Sequence, residues 1–548
     1  MAFSFRERKE NIKKVQSKKY DLVIIGGGIT GAGVARDALS RGMSVALVEA
    51  RDFAEGTSSR SSKLIHGGVR YLENFEFGLV FEALAERSLL FKMAPHLVHP
   101  LRFLIPIYKS SRVGFWKMLA GMWLYDLLAL MDTPKMHESL EPSEVEERIP
   151  VINKRELTGA MEYSDAYTDD DRLVIETLRD ANRLGGHLIN YASVESVLVE
   201  DEKIKSLKVK DQITGDEFQV QGQHFVSGVG PWTDIFGEKV SNDWKKKLRP
   251  TKGVHLVFHK DRIPVSRAVV MAVEKRIIFV IPRHEMVIVG TTDTDFNDNP
   301  IEVGTSKEDV LYLLAAVNNY FPGLKVTEDD ILSSYSGIRP LVDDGSSSEG
   351  KTSREHSIWN YFDNLTFVAG GKYTTYRKIS EDVIDHVLDC FPFDDQMSFN
   401  SSNTQKELNP LITDTLIERD RIEFFKNNKD EFSLSPQWME KLFFRHAGES
   451  RKILKIIADK YSHYSSEQAY WMGEADFAIN ETCCLSLRDF YWRRSPLFLS
   501  YEDHGMSLLE GLSQVFKEEL SLSADEISKQ IDQVKQQIQT DLSWKATP

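Results

Sequence analysis

Cysteine is nearly absent from the 548-residue chain: only Cys390, Cys483 and Cys484 occur, two of them adjacent and none at a metal-ligand spacing. That excludes a disulfide framework and points to a reducing compartment; no other cluster has metal-ligand spacing either, so no metal is expected. An excess of positive charge is also missing. The formal net charge is −15, which argues against nucleic acid as the main partner. The start, MAFSFRERKENIKKVQSKK, is basic but lacks the apolar core of a secretory signal. One apolar run, Gly114 to Met131, approaches the length of a membrane span, but Lys117 and Asp126 interrupt it. It reads first as a buried helix or helical hairpin in a domain insertion. The alternative is a helix lying in a membrane interface. A spanning helix is the weakest reading.

Glycine is missing unevenly: four of the 33 lie beyond Phe391. What remains there has helical periodicity, after a polar stretch around SFNSSNTQKELNP. Upstream, residues 20–49 read as strand, tight turn, helix and strand. From about Glu76 to Pro150 the pattern is largely helical. Strand-like runs return after Gly185, among them SVESVLVE, GVHLVFH, RIIFVIPR and MVIVGTTDTD. Several alternate, which suggests a sheet with one solvated or substrate-facing side. KEDVLYLLAAVNNYFPG is an amphipathic helix ending at Pro322 and Gly323. The chain therefore divides into a basic extension (1–19), a discontinuous nucleotide-binding unit interwoven with a strand-rich insertion (20–390, the insertion roughly 76–165 and 240–335), a linker (391–408) and a helical unit (409–548).

Gly26, Gly28 and Gly31 satisfy Gly-x-Gly-x-x-Gly between a strand and a helix. The first permits the turn, and the second lets backbone amides approach a pyrophosphate at the positive helix end. Glu49 ends the next strand, near the expected spacing of ~20 residues, where a carboxylate accepts from a ribose hydroxyl. The fingerprint serves NAD and FAD equally. The stretch TSSRSSKLIHGGVRYLE, Thr57 to Glu73, favours FAD, because a flavin has a polar ring edge that needs hydrogen-bond donors and a nicotinamide does not. Gly370 and Gly371 open the last helix of this unit, where their amides face the pyrimidine edge of a reduced flavin.

In order along the chain, IIGGGITGAG, TSSRSSKLIHGGVRYL, GPW, TKGVHLV, VGTTDTD, YSGIRPL, GGKYTTYRK and LRDFYWRRSPLFL closely resemble the FAD-dependent glycerol-3-phosphate dehydrogenases. The resemblance implies an α/β plus all-α fold: a glutathione-reductase-like FAD-binding domain, a substrate-capping domain on an antiparallel sheet, and a helical carboxyl-terminal domain. It implies oxidation of sn-glycerol 3-phosphate to dihydroxyacetone phosphate, with electrons passed to membrane quinone by a cytoplasmic protein bound peripherally to the inner face of the membrane. One departure is SGVGPW, where the family usually has Asn-Ala-Thr before Gly-Pro-Trp; Ser227 and Val229 change local packing, and backbone contacts to FAD are expected to survive. Whether the chain forms a homodimer is left open.

The same resemblance assigns site residues. Cofactor contacts are expected from Gly26, Gly28, Gly31, Glu49, Thr57, Ser58, Ser59, Ser61, Ser62, Lys63, His66, Gly67, Gly68, Val194, Gly228, Gly230, Trp232, Gly337 and Gly371, with Lys372 and Thr374 serving both ligands. Arg70, Tyr71, Arg339, Arg354, Lys372 and Thr374 match substrate-contacting positions, since a phosphate dianion needs fixed cations with forked donors. Any one of these, taken alone among 68 lysines and arginines, is more often a surface or ion-paired residue. His255 is the expected general base for the hydroxyl proton; the alternative is a histidine that packs or orients substrate. Arg339 is the second catalytic candidate, stabilising a developing alkoxide. Rival readings are a glycerol-3-phosphate oxidase, an amine or amino-acid oxidase of the same broad fold, and a non-catalytic flavoprotein.

Overall fold

The apolar runs on either side of the glycine turn become the centre of a parallel sheet. A computed structural model describes residues 3–274, 276–343, 345, 355–427 and 434–546. Strand Lys19–Ile25 pairs in parallel with Val45–Val48 on one side and with Glu217–Ser227 on the other. His187–Ile189 and Leu365–Gly370 extend the sheet outward, and His356–Phe362 closes one edge antiparallel. All four residues of Val45–Val48 are buried, as expected for a strand covered on both faces: Val45 and Leu47 pack among the helices, Ala46 and Val48 among residues of strands Ala192–Glu200 and Lys203–Asp211. Helix Ile29–Ser40 is the crossover, and it packs against helices Asp170–Arg183 and Tyr376–Leu388.

The second sheet has ten strands and is mostly antiparallel. Its central strand, Leu248–His259, lies between Met286–Gly290 and Ile331–Val342. Two long strands, Val98–Tyr108 and Leu157–Thr168, form its far side. The first corrects the sequence reading, which took the whole stretch from Glu76 to Pro150 as largely helical. VHPLRFLIPIY is an extended strand buried along most of its length, with only Pro100 exposed. The donor-rich stretch spans the two layers: Thr57–Ser59 is a helical turn beside the first sheet, and Leu64–Ile65 is a short strand pairing with Leu157–Thr168 of the second.

Two segments outside the sheets are tied down, and one further expectation changes. In the basic start, Phe5–Ser17 is a helix, its buried Arg8 pairs with Asp211 at 2.7 Å, and Phe3 stacks on Phe53. The polar linker is held down, with Arg36 donating to the carbonyls of Thr404 (2.6 Å) and Lys406 (2.9 Å). The apolar run becomes helix Phe115–Leu128, but only Met122, Tyr125 and Asp126 are buried. Trp116 is 79% exposed, with Trp123, Leu127 and Leu130 also open to solvent. A buried helix is therefore the wrong reading of it: hydrophobicity alone does not say what covers a face. Among the described residues no helix is long and apolar enough to cross a membrane. The helical unit beyond residue 409 has its own core around Leu442, Trp471, Phe490, Leu512 and Phe516.

Candidate active site

A cavity of about 940 Å³ lies between the two sheets, and its wall divides by chemistry. One end is made of backbone. Gly26 has φ +107°, and a Cβ there would sit 2.7 Å from the Gly228 carbonyl oxygen; only glycine fits. Gly28 caps the helix that follows, and the amide of Ile29 donates to Ser58 Oγ at 2.9 Å. Gly31 lies outside the cavity wall and lets the helix approach the turn, since its Cβ would meet the Gly26 carbonyl oxygen. Glu49 accepts from the amides of Gly27 (2.7 Å) and Arg51 (2.9 Å), while burial raises its pKa above the usual carboxylate range. Val194, Gly228, Gly230 and Trp232 complete this end.

The chemistry of this donor set fits FAD. A glycine cradle at a helix amino terminus receives a pyrophosphate, and a buried carboxylate at the neighbouring strand end receives a ribose. The cavity continues past Ser61, Ser62, His66, Gly371 and Thr374, giving a ring system a polar edge to lie against. Thr374 Oγ1 accepts from the His66 amide at 3.2 Å, tying the donor-rich stretch to the last glycine pair.

The other end is built of long side chains. His255 and Arg339 come from neighbouring strands, Leu248–His259 and Ile331–Val342, and Lys372 from the turn after Leu365–Gly370. Ser62 Oγ lies 2.9 Å from His255 Nε2, and the Tyr335 ring stacks on the imidazole at 4.7 Å. His255 Nδ1 is buried with no hydrogen-bond partner among the described residues. Burial first, then the positive charges of Arg339 and Lys63, hold this histidine well below its ordinary pKa. It is therefore neutral at pH 7, the state a proton acceptor needs. Arg339 donates to Asp293 (2.8 Å) and to Thr291 Oγ1 (3.0 Å), and Lys372 Nζ lies 3.8 Å from the centre of the Tyr71 ring.

Several expected contacts do not line the cavity. Lys63 is buried away from it, ion-paired with Asp170 and donating to the Ser59 carbonyl. Ser59 itself is not part of the wall. Gly67 gives its amide to Tyr125 Oη at 3.0 Å and faces helix Phe77–Met93, where a Cβ would strike Leu84. Gly68, at φ +76°, leaves room for the Tyr71 ring to fold back, so Tyr71 enters the cavity and exposed Arg70 does not. Thr57 and Gly337 do line it, Thr57 through a hydrogen bond to the Ile338 carbonyl. Arg354 lies outside the described residues. Sequence reading missed Asp293 and Thr291, which hold Arg339; Tyr335, which walls His255; and Arg60, which donates to the Ser336 carbonyl at 3.2 Å. The segment VGTTDTD was visible as a motif, but nothing in it says which strand it faces.

Comparison with known proteins agrees with this geometry. The family model for FAD dependent oxidoreductases matches residues 21–377. The aerobic glycerol-3-phosphate dehydrogenases of Staphylococcus aureus strains bovine RF122 / ET3-1 and USA300 are each 34% identical over 547 residues, covering 98% of both chains. The crystal structure of the glycerol-3-phosphate dehydrogenase from Bacillus halodurans complexed with FAD superposes with a TM-score of 0.79 at 27% identity, again over 98% of each chain. An L-alpha-glycerophosphate oxidase from Mycoplasma pneumoniae shares the fold, with a TM-score of 0.55 at 15% identity over 72% of this chain and 100% of its own. With a cradle that fits FAD, a cationic far wall, and these matches along nearly its whole length, the chain belongs to the FAD-dependent glycerol-3-phosphate dehydrogenases.

Proposed function

We propose that the protein oxidises sn-glycerol 3-phosphate to dihydroxyacetone phosphate and that its electrons leave to a membrane quinone. The observation that carries the first part is the far wall of the cavity: Arg339, Lys372 and a neutral His255 share one space with the FAD cradle. FAD, when bound, supplies the two-electron acceptor for the hydrogen on carbon 2. The chain supplies the rest. Arg339 and Lys372 hold the phosphate dianion, Arg339 with its guanidinium already oriented by Asp293 and Thr291. His255 takes the hydroxyl proton as the carbonyl forms, and Ser62 and Tyr335 keep its ring in place. Anaerobic addition of sn-glycerol 3-phosphate to the holoenzyme should bleach the flavin absorbance, and glycerol at equal concentration should not. A flavin that stays oxidised with both refutes the assignment.

The second part is supported by helix Phe115–Leu128. Its solvent face carries Trp116, Trp123 and Leu127, and the neighbouring Phe75 is 77% exposed. Contiguous exposed aromatics mark an interface with lipid or another apolar surface. The same helix is anchored by Tyr125, whose hydroxyl meets the Gly67 amide and Asp165. An apolar face thus stands one residue layer from the segment carrying Tyr71, a short route for a quinone. The protein is read as docking on the cytoplasmic side of the membrane. Trp116→Asp should release it from sedimenting anionic phospholipid vesicles and slow reoxidation by a quinone analogue, leaving anaerobic bleaching intact. Reoxidation by oxygen at the quinone rate would instead make it an oxidase.

A further inference from the structure

Among the described residues, the helical carboxyl-terminal unit contributes none to the cavity wall, yet it grips both chain segments that meet there. The strand Ile331–Val342 carries a bulge: Val257 pairs with Ser333, but the next residue, Phe258, pairs with Ile331, which leaves Leu332 extra. Everything beyond a bulge depends on it, because a slip of one residue turns each side chain to the opposite face. Beyond this one, Tyr335 lies opposite His255 and Arg339 reaches the cavity.

The helical unit holds the bulge on both sides. Lys545 Nζ donates to the Ile331 carbonyl at 3.0 Å, and Ser333 Oγ donates to the Leu499 carbonyl at 2.9 Å. Ser334 Oγ donates to the Asp541 carbonyl at 3.0 Å and accepts from the Trp544 indole N–H at 2.9 Å. Ser333 and Ser334 are fully buried and Trp544 nearly so. Water cannot replace these bonds without opening the contact.

The same unit holds the cofactor loop. Buried Asp52 accepts from Arg493 Nε (2.6 Å) and from Arg494 Nη1 (2.9 Å) and Nη2 (3.0 Å). Loop and strand then touch directly, with Arg60 on the Ser336 carbonyl and no room for a side chain at Gly337. Cofactor loop, substrate strand and helical unit close a triangle.

We infer that the carboxyl-terminal unit is a positioning element of the active site: through Trp544 and Ser334 it pins the Leu332 bulge and so fixes the strand register that sets Tyr335 against His255 and aims Arg339 into the cavity. The inference rests on the reading of Arg339 as a substrate contact. Trp544→Phe keeps the ring and removes the N–H. In the FAD-loaded full-length protein, the apparent Kd for sn-glycerol 3-phosphate, read from anaerobic flavin reduction, should rise about tenfold, the size of one lost buried hydrogen bond. In an Arg339→Lys background the same change should cost less than about twofold, because the two residues act through one register. Equal losses in both backgrounds, or no loss in either, overturn the inference. Amide hydrogen exchange provides a readout that needs no substrate: Trp544→Phe should speed exchange across residues 333–338 of the holoenzyme, and unchanged protection there also overturns it. If Trp544→Phe fails to retain FAD, Ser334→Ala tests the same contact from the strand side. Should the unaltered enzyme not be reduced by sn-glycerol 3-phosphate, the functional reading fails, while the exchange result still decides the positioning role.

Discussion

The two ends of the cavity are built by opposite means. The cofactor end is defined by side chains that are missing: Gly26 and Gly28 bring the backbone itself to the cavity wall, and only Glu49 contributes a charge from the fingerprint itself. The substrate end is defined by long or polar side chains held by partners, the charged Arg339 by Asp293 and the neutral His255 by Ser62. A cradle of backbone is made by neighbours in sequence, because it needs only a turn and a helix start. A cluster of charges comes from distant strands, because each charge needs its own counter-group and direction. The first end should therefore fail all at once when altered, and the second by degrees.

The sharpest break is Gly26→Val. With φ at +107° and no space for a Cβ, the variant should purify without the visible flavin absorbance. Retained FAD would mean that the cradle is not made as described. Next comes His255→Ala, expected to slow flavin reduction by about 10²–10⁴-fold, the range for a lost general base. Binding of dihydroxyacetone phosphate should change only a few-fold; equal losses in both would leave a binding role alone. Lys63→Met tests the correction to the donor-rich stretch. It strands Asp170 in the interior and should lower unfolding free energy by about 3–5 kcal/mol in denaturant titrations, with FAD affinity of the folded fraction nearly kept. Loss of FAD affinity in excess of the loss of stability would return Lys63 to the cofactor.

A milder change, Arg339→Lys, keeps the charge and loses the fork; KM for sn-glycerol 3-phosphate should rise about tenfold with kcat within about threefold, as measured by quinone-analogue reduction. The smallest effect is that of pH. His255 is held below its ordinary value by burial, so the acid limb of flavin reduction should lie below about pH 6.5, where a free histidine titrates. A limb at or above that value counts against His255 as the base. Stability has its own acid limb. Burial pushes His99 down to about 4, and His96 and His284 well down, where the second sheet meets the helical unit. The unfolded chain takes up these protons near pH 6.5, whereas native His99 does not until about 4 and burial holds His96 and His284 neutral well below 6.5. Their contribution is thus complete above 6.5 and lost as pH falls toward 4, a slope that chemical denaturation at several pH values measures.

What could be read in advance follows the same division. The turn at Gly26, helix Ile29–Ser40 and Glu49 lie within one short segment, where spacing is geometry. Helix Lys307–Tyr320 was equally legible from its amphipathic spacing and the stop at Pro322 and Gly323. Strand Val98–Tyr108 was not, because its neighbours are helical and its pairing partner Leu157–Thr168 lies far along the chain. Lys63 was assigned to the cofactor because it stands among donors; its carboxylate, Asp170, begins a helix over a hundred residues later. Arg70 and Tyr71 looked equivalent, and the positive φ of Gly68 separates them.

Sequence by itself determined the family, the dinucleotide cradle and the succession of an α/β unit by a helical one, because each depends on residues near one another and on hydrophobic periodicity. Only the tertiary structure decided which charges face the cavity, that the apolar helix Phe115–Leu128 is left uncovered, and that the last helix reaches back to the substrate strand through Trp544. Those outcomes depend on partners brought from elsewhere in the chain, and burial and ion pairing become defined only when the surfaces meet.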